Sequence, residues 1–454
     1  MGVMPIGKLL ANMSAPPMVS MLAVALYNII DSIFVAMVSE DALTAVTLVF
    51  PVQMIMISVN VGIGVGLASL ISRRLGEKRQ NDADSAAAHG FVFAVIVWVL
   101  YVLFAVFAAE PFLRFFTGMQ SNDAIFEMAL VYCRIVMIGS VFLNISIAIE
   151  KILQGTGNTF HPMIFNIIGV GVNTAMAPIL IIGYLGAPSL GVTGAGYAAI
   201  IGQFVGFMIA MILIFRKKHA VKIGFRGFRL SAETTRDILV VGAPSIVMQA
   251  TMPILVGGLN KILFNYASAV FVLGVYYRIS TFVVMPTVGL NQGALPIMGY
   301  SFGAKNRLRL QATYKTALTF AIIIMAAGTA IFWIWPDRIM MLFSASEYSM
   351  DLGIHALRTI SVCFVTAAFS IITIGMFQAL AHGGMALVIS VVRQLGLILP
   401  LAYILLIHYD VYAVWYSYPI AEVVAVIITI FFLRSVFRND IRPLPDGAPV
   451  EGRV

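Results

Sequence analysis

RKKHAVKIGFRGFRLSAETTR, residues 216–236, is the only long polar stretch between apolar segments of this chain. Seven of its residues are basic and one, Glu233, is acidic. Apolar runs flank it on both sides, each near or above the ~20 residues that carry a helix across hydrocarbon. Six precede it, at about 14–38, 45–72, 86–110, 124–153, 160–184 and 192–215. Six follow, at about 237–263, 268–300, 311–335, 352–380, 384–408 and 412–433. The pattern predicts an all-α integral membrane protein of twelve transmembrane helices. They fall into a first lobe over 1–215, a linker over 216–236, a second lobe over 237–440 and a tail over 441–454.

Composition agrees. Of 454 residues, 61% are hydrophobic and 11% charged, with a mean hydropathy of +0.98. A soluble domain carries about 25% charged residues, so an ordinary soluble enzyme, a disordered chain and a disulfide scaffold are excluded. Cys133 and Cys363 both lie in apolar runs and read as packed free thiols. The first run is long enough to span and reads as a retained helix, not a signal peptide. The net charge of +8 is a weak sign of nucleic-acid binding in such a chain, and none is expected.

The loops set the orientation. One side collects Arg73, Arg74, Lys78 and Arg79, the basic residues of the linker, Lys305, Arg307, Arg309 and Lys315, and finally Arg434, Arg438 and Arg442. The other side is neutral or acidic, with Glu40, Asp41, Asp337, Glu347 and Asp351. The positive-inside rule predicts a multi-pass protein of the cell membrane with both termini in the cytoplasm.

The two halves repeat. Gly62 and Gly66 return as Gly289 and Gly293, and Gly76-Glu77-Lys78 as Gly303-Ala304-Lys305, all at an offset of 227. Ala15-Pro16 returns as Ala243-Pro244, and Arg134 and Gln154 as Arg358 and Gln378. Six spans per half give both halves the same orientation, related by an axis along the membrane normal. Two such bundles meeting at a midplane cleft can rock to expose it to either side, so transport is the leading function.

Ionisable groups inside spans are costly and need a partner or a task. Asp31, in Tyr27-Asn28-Ile29-Ile30-Asp31, lies past the middle of the first span with no positive charge nearby in sequence. Desolvation disfavours its charged form, so it can exchange a proton; the plainer reading is a structural, hydrogen-bonded Asp. Asn173, mid-span in the fifth helix, is either its hydrogen-bond partner or a packing Asn. Arg393 and Glu422 fall at similar depth on the last two helices, and a structural ion pair is expected. Arg134 and Arg358 read as scaffold. Lys261 can snorkel, and Glu150 with Lys151 is expected at the membrane interface. Pro51, Pro286 and Pro296 can kink their spans, and the 25 Met residues suit either an adaptable cavity or an ordinary membrane core. Phosphate loop, His-x-x-x-His pair and Gly-x-Ser-x-Gly elbow are all missing from the sequence, so an enzyme is not expected and neither is a resident cofactor or metal.

Taken together, these residues resemble the multidrug and toxic compound extrusion (MATE) family, over about residues 8–436. The likeness rests on Ser14-Ala15-Pro16, Leu26 to Asp31, Phe50-Pro51, Ser72 to Gly76, Gln154-Gly155-Thr156-Gly157-Asn158, Gly191 to Ala195, Tyr277-Arg278, Tyr300 to Lys305 and Pro419 to Glu422. It is similar to the prokaryotic branch that includes the staphylococcal multidrug exporter. The resemblance implies a MATE/MOP-type fold with a V-shaped cavity, exporting organic cations and drugs against H⁺ or Na⁺. It implies that Asp31 is the coupling carboxylate, with Asn173, Asn28 and Tyr27 around it. Gln53, Met54, Gln249, Tyr277, Arg278 and Arg393 are the candidates for the substrate cavity. The family's second carboxylate after the fifth-helix Asn is Ala177 here, and a further hydroxyl is Ala199. That thin oxygen set favours transported H⁺ over Na⁺. The expected protein is a monomeric antiporter; the alternative is a flippase of lipids or lipid-linked oligosaccharides, for which Lys261, Arg278 and Arg393 would suit a phosphate.

Overall fold

The computed structural model describes residues 2–117, 123–186, 188–216, 220–221, 229–343 and 346–446, without the side chains at 28, 29, 31–33, 36, 40, 116, 117 and 185. Asp31 and Asn28 therefore belong to the first helix by backbone, while their side chains lie outside the described residues. Lys217, Lys218, Lys222 and Arg226 of the linker lie outside them altogether.

No strand occurs among the described residues. In hydrocarbon every backbone N–H and C=O must be paired within its own segment, and a helix does this. The first lobe contains α1 (Ile6–Ala36), α2 (Glu40–Gly76), α3 (Gln80–Leu103, continued through Phe104–Ala108 to Thr117), α4 (Ala124–Gly139 and Val141–Gly155), α5 (Phe160–Ile181) and α6 (Gly191–Arg216). The second contains α7 (Ala232–Ile262), α8 (Ala267–Gly303), α9 (Arg307–Ile334), α10 (Glu347–Ser361 and Cys363–Ala379), α11 (Gly383–Val391, continued through Val392–Ile398 to His408) and α12 (Ser417–Val436). Ten of these helices are long and apolar enough to cross a membrane, and the two bent pairs make up to twelve.

Starts and stops follow the sequence. Ser39, Asp123, Ser231, Asn306 and Ser346 cap α2, α4, α7, α9 and α10 by accepting from backbone N–H groups of the first turn. Beyond α2 and α8 the chain turns through left-handed Lys78 and Lys305, with φ of 61° and 53°. Beyond α4 and α10 it turns through Gly157 and Ala381, with φ of 91° and 66°. Both pairs are repeat equivalents.

Breaks bent by 45° and 42° divide α4 and α10, whereas Pro51, Pro286 and Pro296 sit inside helices that run on past them without a break. The α4 bend falls at Gly139-Ser140, where the Ser140 hydroxyl donates to the Met137 carbonyl at 2.7 Å. At the α10 bend Ser361 donates to the Arg358 carbonyl at 3.2 Å. Hydroxyls that take a carbonyl of the preceding turn loosen the helix there.

The lobes meet crosswise, α1 on α8 and α2 on α7. Repeat glycines make the approach possible. A Cβ at Gly62 would stand 2.6 Å from the backbone nitrogen of Ile246, and one at Gly289 would stand 2.7 Å from that of Met18. Gly76 likewise abuts the Tyr300 carbonyl, and Gly303 the Arg73 carbonyl. Each contact is the image of the other under exchange of the lobes. Lobe-to-lobe hydrogen bonds lie in the same half of the molecule: Ser14 Oγ to Leu290 O (3.2 Å), Ser69 Oγ to Gln378 O (2.7 Å) and Arg74 Nη2 to Asp237 Oδ2 (2.7 Å). This half carries the basic loops. Both ends of the described chain are there too, since Arg309 donates to the Met4 carbonyl and the Arg307 N–H to the Pro445 carbonyl.

Candidate functional site

In the first lobe α1 and α5 bring Tyr27 and Asn173 together. Asn173 Nδ2 donates to the Tyr27 hydroxyl at 2.8 Å. Asn173 is 7% exposed, and its Oδ1 is buried without a hydrogen-bond partner among the described residues. An unpaired buried acceptor is costly, and it suits a site that takes a proton donor or a cation. Gly202 on α6 leaves the room, because a Cβ there would strike the Asn173 Cβ. Tyr27 stands about half a turn around α1 from Met18, so it faces the lobe interior while Met18 faces the other lobe. Asp31 follows one turn later on α1. Ala177 is buried, an apolar group one turn from Asn173.

The cavity candidates separate into three places. Gln53, half-buried, donates to the Tyr132 hydroxyl at 3.1 Å inside the first lobe, and half-buried Met54 is its neighbour. Gln249 and Arg278 are exposed. By helical phase they continue the lobe-facing stripes of α7 and α8, Gln249 about one turn beyond Ile246 and Arg278 about three turns beyond Gly289. Tyr277 and Arg393 lie in the second lobe. The Tyr277 hydroxyl pairs with that of Tyr418 at 2.9 Å. Arg393 Nη1 reaches Glu422 Oε2 at 3.4 Å, and Ser370 donates to Glu422 Oε1 at 3.1 Å.

Arg393 occupies a π-helical segment, Val392–Ile398, where the ladder loosens by one residue. The next residue, Gln394, accepts from Thr251 of α7 at 3.0 Å. A second π segment, Phe104–Ala108 in α3, turns the Ala105 carbonyl to Arg134 Nε at 3.3 Å. Arg134 is thus a scaffold group.

The reading of Glu150 and Lys151 as interfacial is not what the structure has. Lys151 is 3% exposed. Its ammonium donates to Glu150 Oε1 (3.0 Å), to Gln154 Oε1 (3.0 Å) and, across the lobe boundary, to Gln292 Oε1 of α8 (3.2 Å). Asn166 of α5 donates to the other Glu150 oxygen at 2.9 Å. The signal available in sequence was Gln154, four residues from Glu150 and three from Lys151 on one helix. Gln292, distant in sequence, gave none. Cys133 and Cys363 are buried free thiols. Among the described residues no group of His, Cys, Asp and Glu is arranged to hold a metal ion.

The MatE family profile matches residues 16–179 and 237–404, one block in each lobe. The probable multidrug resistance protein YoeA of Bacillus subtilis (strain 168) is 23% identical over 413 residues, covering 88% of this chain and 87% of its own. The multidrug export protein MepA of Staphylococcus aureus (strain NCTC 8325 / PS 47) is 22% identical over 449 residues, covering 98% and 97%. Among solved structures, the outward-facing conformation of a multidrug resistance MATE family transporter of the MOP superfamily superposes with a TM-score of 0.89 at 29% identity, covering 96% of both chains. A MOP superfamily transporter from Pyrococcus furiosus, described as having a binding pocket of reverse polarity, gives 0.88 at 29% identity, covering 96% of this chain and 97% of that one.

Proposed function

The chain belongs to the MatE family, whose matched members are transporters and not enzymes, and on that premise we propose that it is a secondary antiporter. It exports amphipathic organic cations and drugs from the cytoplasm in exchange for H⁺, by alternating access. The basic end faces the cytoplasm and the opposite end of the lobes faces outward. The protein works as a monomer in the bacterial cell membrane, both termini inside.

The observation that carries this reading is the Tyr27–Asn173 pair. It supplies the hydroxyl of half-buried Tyr27, one turn along α1 from Asp31, and an unpaired amide oxygen on Asn173, with buried Ala177 where a second carboxylate would complete a cation cage. A single desolvated carboxyl suffices to bind a proton, whereas Na⁺ wants several oxygen ligands. The names of the relatives, multidrug export proteins, support drugs over lipid-linked oligosaccharides as cargo. Ethidium held in proteoliposomes under a pH gradient or a Na⁺ gradient tests the coupling ion. Movement under the pH gradient alone is expected, and Asp31→Asn is expected to abolish it at normal protein yield. A strict Na⁺ requirement, or intact coupling in Asp31→Asn, would overturn the H⁺ assignment.

A further inference from the structure

The Glu150–Lys151 network is the place where the repeat departs from its own symmetry. At the repeat offset of 224, Lys151 corresponds to Gly375 and Glu150 to Ile374. At the offset of 227, Gly64 corresponds to Asn291. In the first lobe a Cβ on Gly64 would strike the Lys151 side chain; in the second, a Cβ on Gly375 would strike Asn291. The same niche is thus filled from opposite helices. Only the first lobe puts a charge into it.

That charge is shared between the lobes. Lys151 has one acceptor on Glu150 and one on Gln154, both on its own helix, and its third acceptor is Gln292 on α8 of the opposite lobe. Gln154 Nε2 also reaches Gln292 Oε1, at 3.4 Å. An ammonium has three hydrogens to place, and here the third is placed only while the lobes are closed at the basic end. Opening that end withdraws Gln292 and leaves Lys151 to water in the widening gap.

We propose that Lys151 and Gln292 form a latch between the lobes, one that holds the basic end shut and sets the ratio of the outward-open to the inward-open form. The proposal rests on the alternating-access reading. The latch belongs to neither the ion site nor the cargo site. It acts on the equilibrium through which both are exposed. It also gives the first lobe a lever that the second lacks, since the rearrangement of α4 or α5 around Glu150 and Asn166 re-aims Lys151 directly.

Gln292→Leu removes only the opposite-lobe acceptor and leaves the Glu150–Lys151 pair whole. Nitroxide labels on Arg79→Cys and Arg438→Cys, one exposed site per lobe at the basic end, report the gap as a distance distribution in lipid nanodiscs; Cys133 and Cys363 are buried and stay unlabelled. Gln292→Leu is expected to raise the inward-open fraction about tenfold, the scale of one charge-assisted hydrogen bond. Gln292→Lys, which sets two ammoniums together, is expected to raise it further. Adding Lys151→Gln to Gln292→Lys returns a single cation to the niche and is expected to restore the wild-type distribution. Distances in Gln292→Leu identical to wild type, or no rescue in the double variant, would overturn the latch. If wild-type protein moves no ethidium under either gradient, the export reading fails while the label distances still decide the latch. One unchanging distance in every variant and at every pH overturns both.

Discussion

Ala381 holds a left-handed backbone, φ 66°, that L side chains adopt at a cost, and its repeat equivalent is Gly157 at φ 91°. The turn after α4 and the turn after α10 are the same turn, once with the residue that suits it and once without. Ala381→Gly is therefore expected to stabilise the detergent-solubilised protein by about 1 kcal/mol, read as a rise in unfolding temperature, and Gly157→Ala to lower it by a similar amount. A fall in unfolding temperature for Ala381→Gly would mean that the Ala381 methyl has packing worth more than the strain. At this scale the sequence was readable in part. Asn173 stood out, since polar groups in apolar spans are few, but as a partner for Asp31; the structure joins it to Tyr27, which only the family resemblance had brought in. Lys151 was misread because charge near a helix end looks interfacial until a partner from a distant helix is known. That partner, Gln292, lies 141 positions away.

At the scale of the element, length and hydropathy were enough to find the helices, because a membrane demands one kind of segment of one approximate length. Irregularities inside them were not legible. Proline drew attention to Pro51, Pro286 and Pro296, yet the breaks in α4 and α10 fall at hydroxyls that compete for the ladder, and the π segments carry no marker residue. The segment in α11 matters because it presents Arg393 to Glu422. Both side chains are mostly buried, so removing one strands the other. Arg393→Leu is expected to destabilise the protein by about 3–5 kcal/mol, while Arg393→Leu with Glu422→Leu is expected to recover most of that loss. Thermal unfolding of the three proteins in one detergent provides the comparison. A double variant as unstable as the single one would show that the pair does more than balance charge.

For the whole molecule, the decisive contacts are those that the repeat makes twice. Gly62 on Ile246 and Gly289 on Met18 are one contact seen from either lobe. Enlarging either glycine wedges the same end apart. Gly62→Leu and Gly289→Leu are each expected to shift the label pair at the basic end to longer distances, and by similar amounts. A shift for one and none for the other would mean that the lobes do not move as equivalent bodies. Spacing alone exposed the repeat, since glycines returning at a fixed offset survive where the intervening apolar residues have been exchanged freely. Spacing did not expose which glycine met which residue, because that depends on the crossing of helices hundreds of positions apart. The segment joining the lobes leaves from the same end of the molecule at which Met4 and Pro445 are docked, two residues apart, on the first turn of α9. The path of the chain is thus a circuit open at a single junction, and the halves are related as neighbours on a ring, so that a circular permutant beginning at α7 would keep every helix in its place.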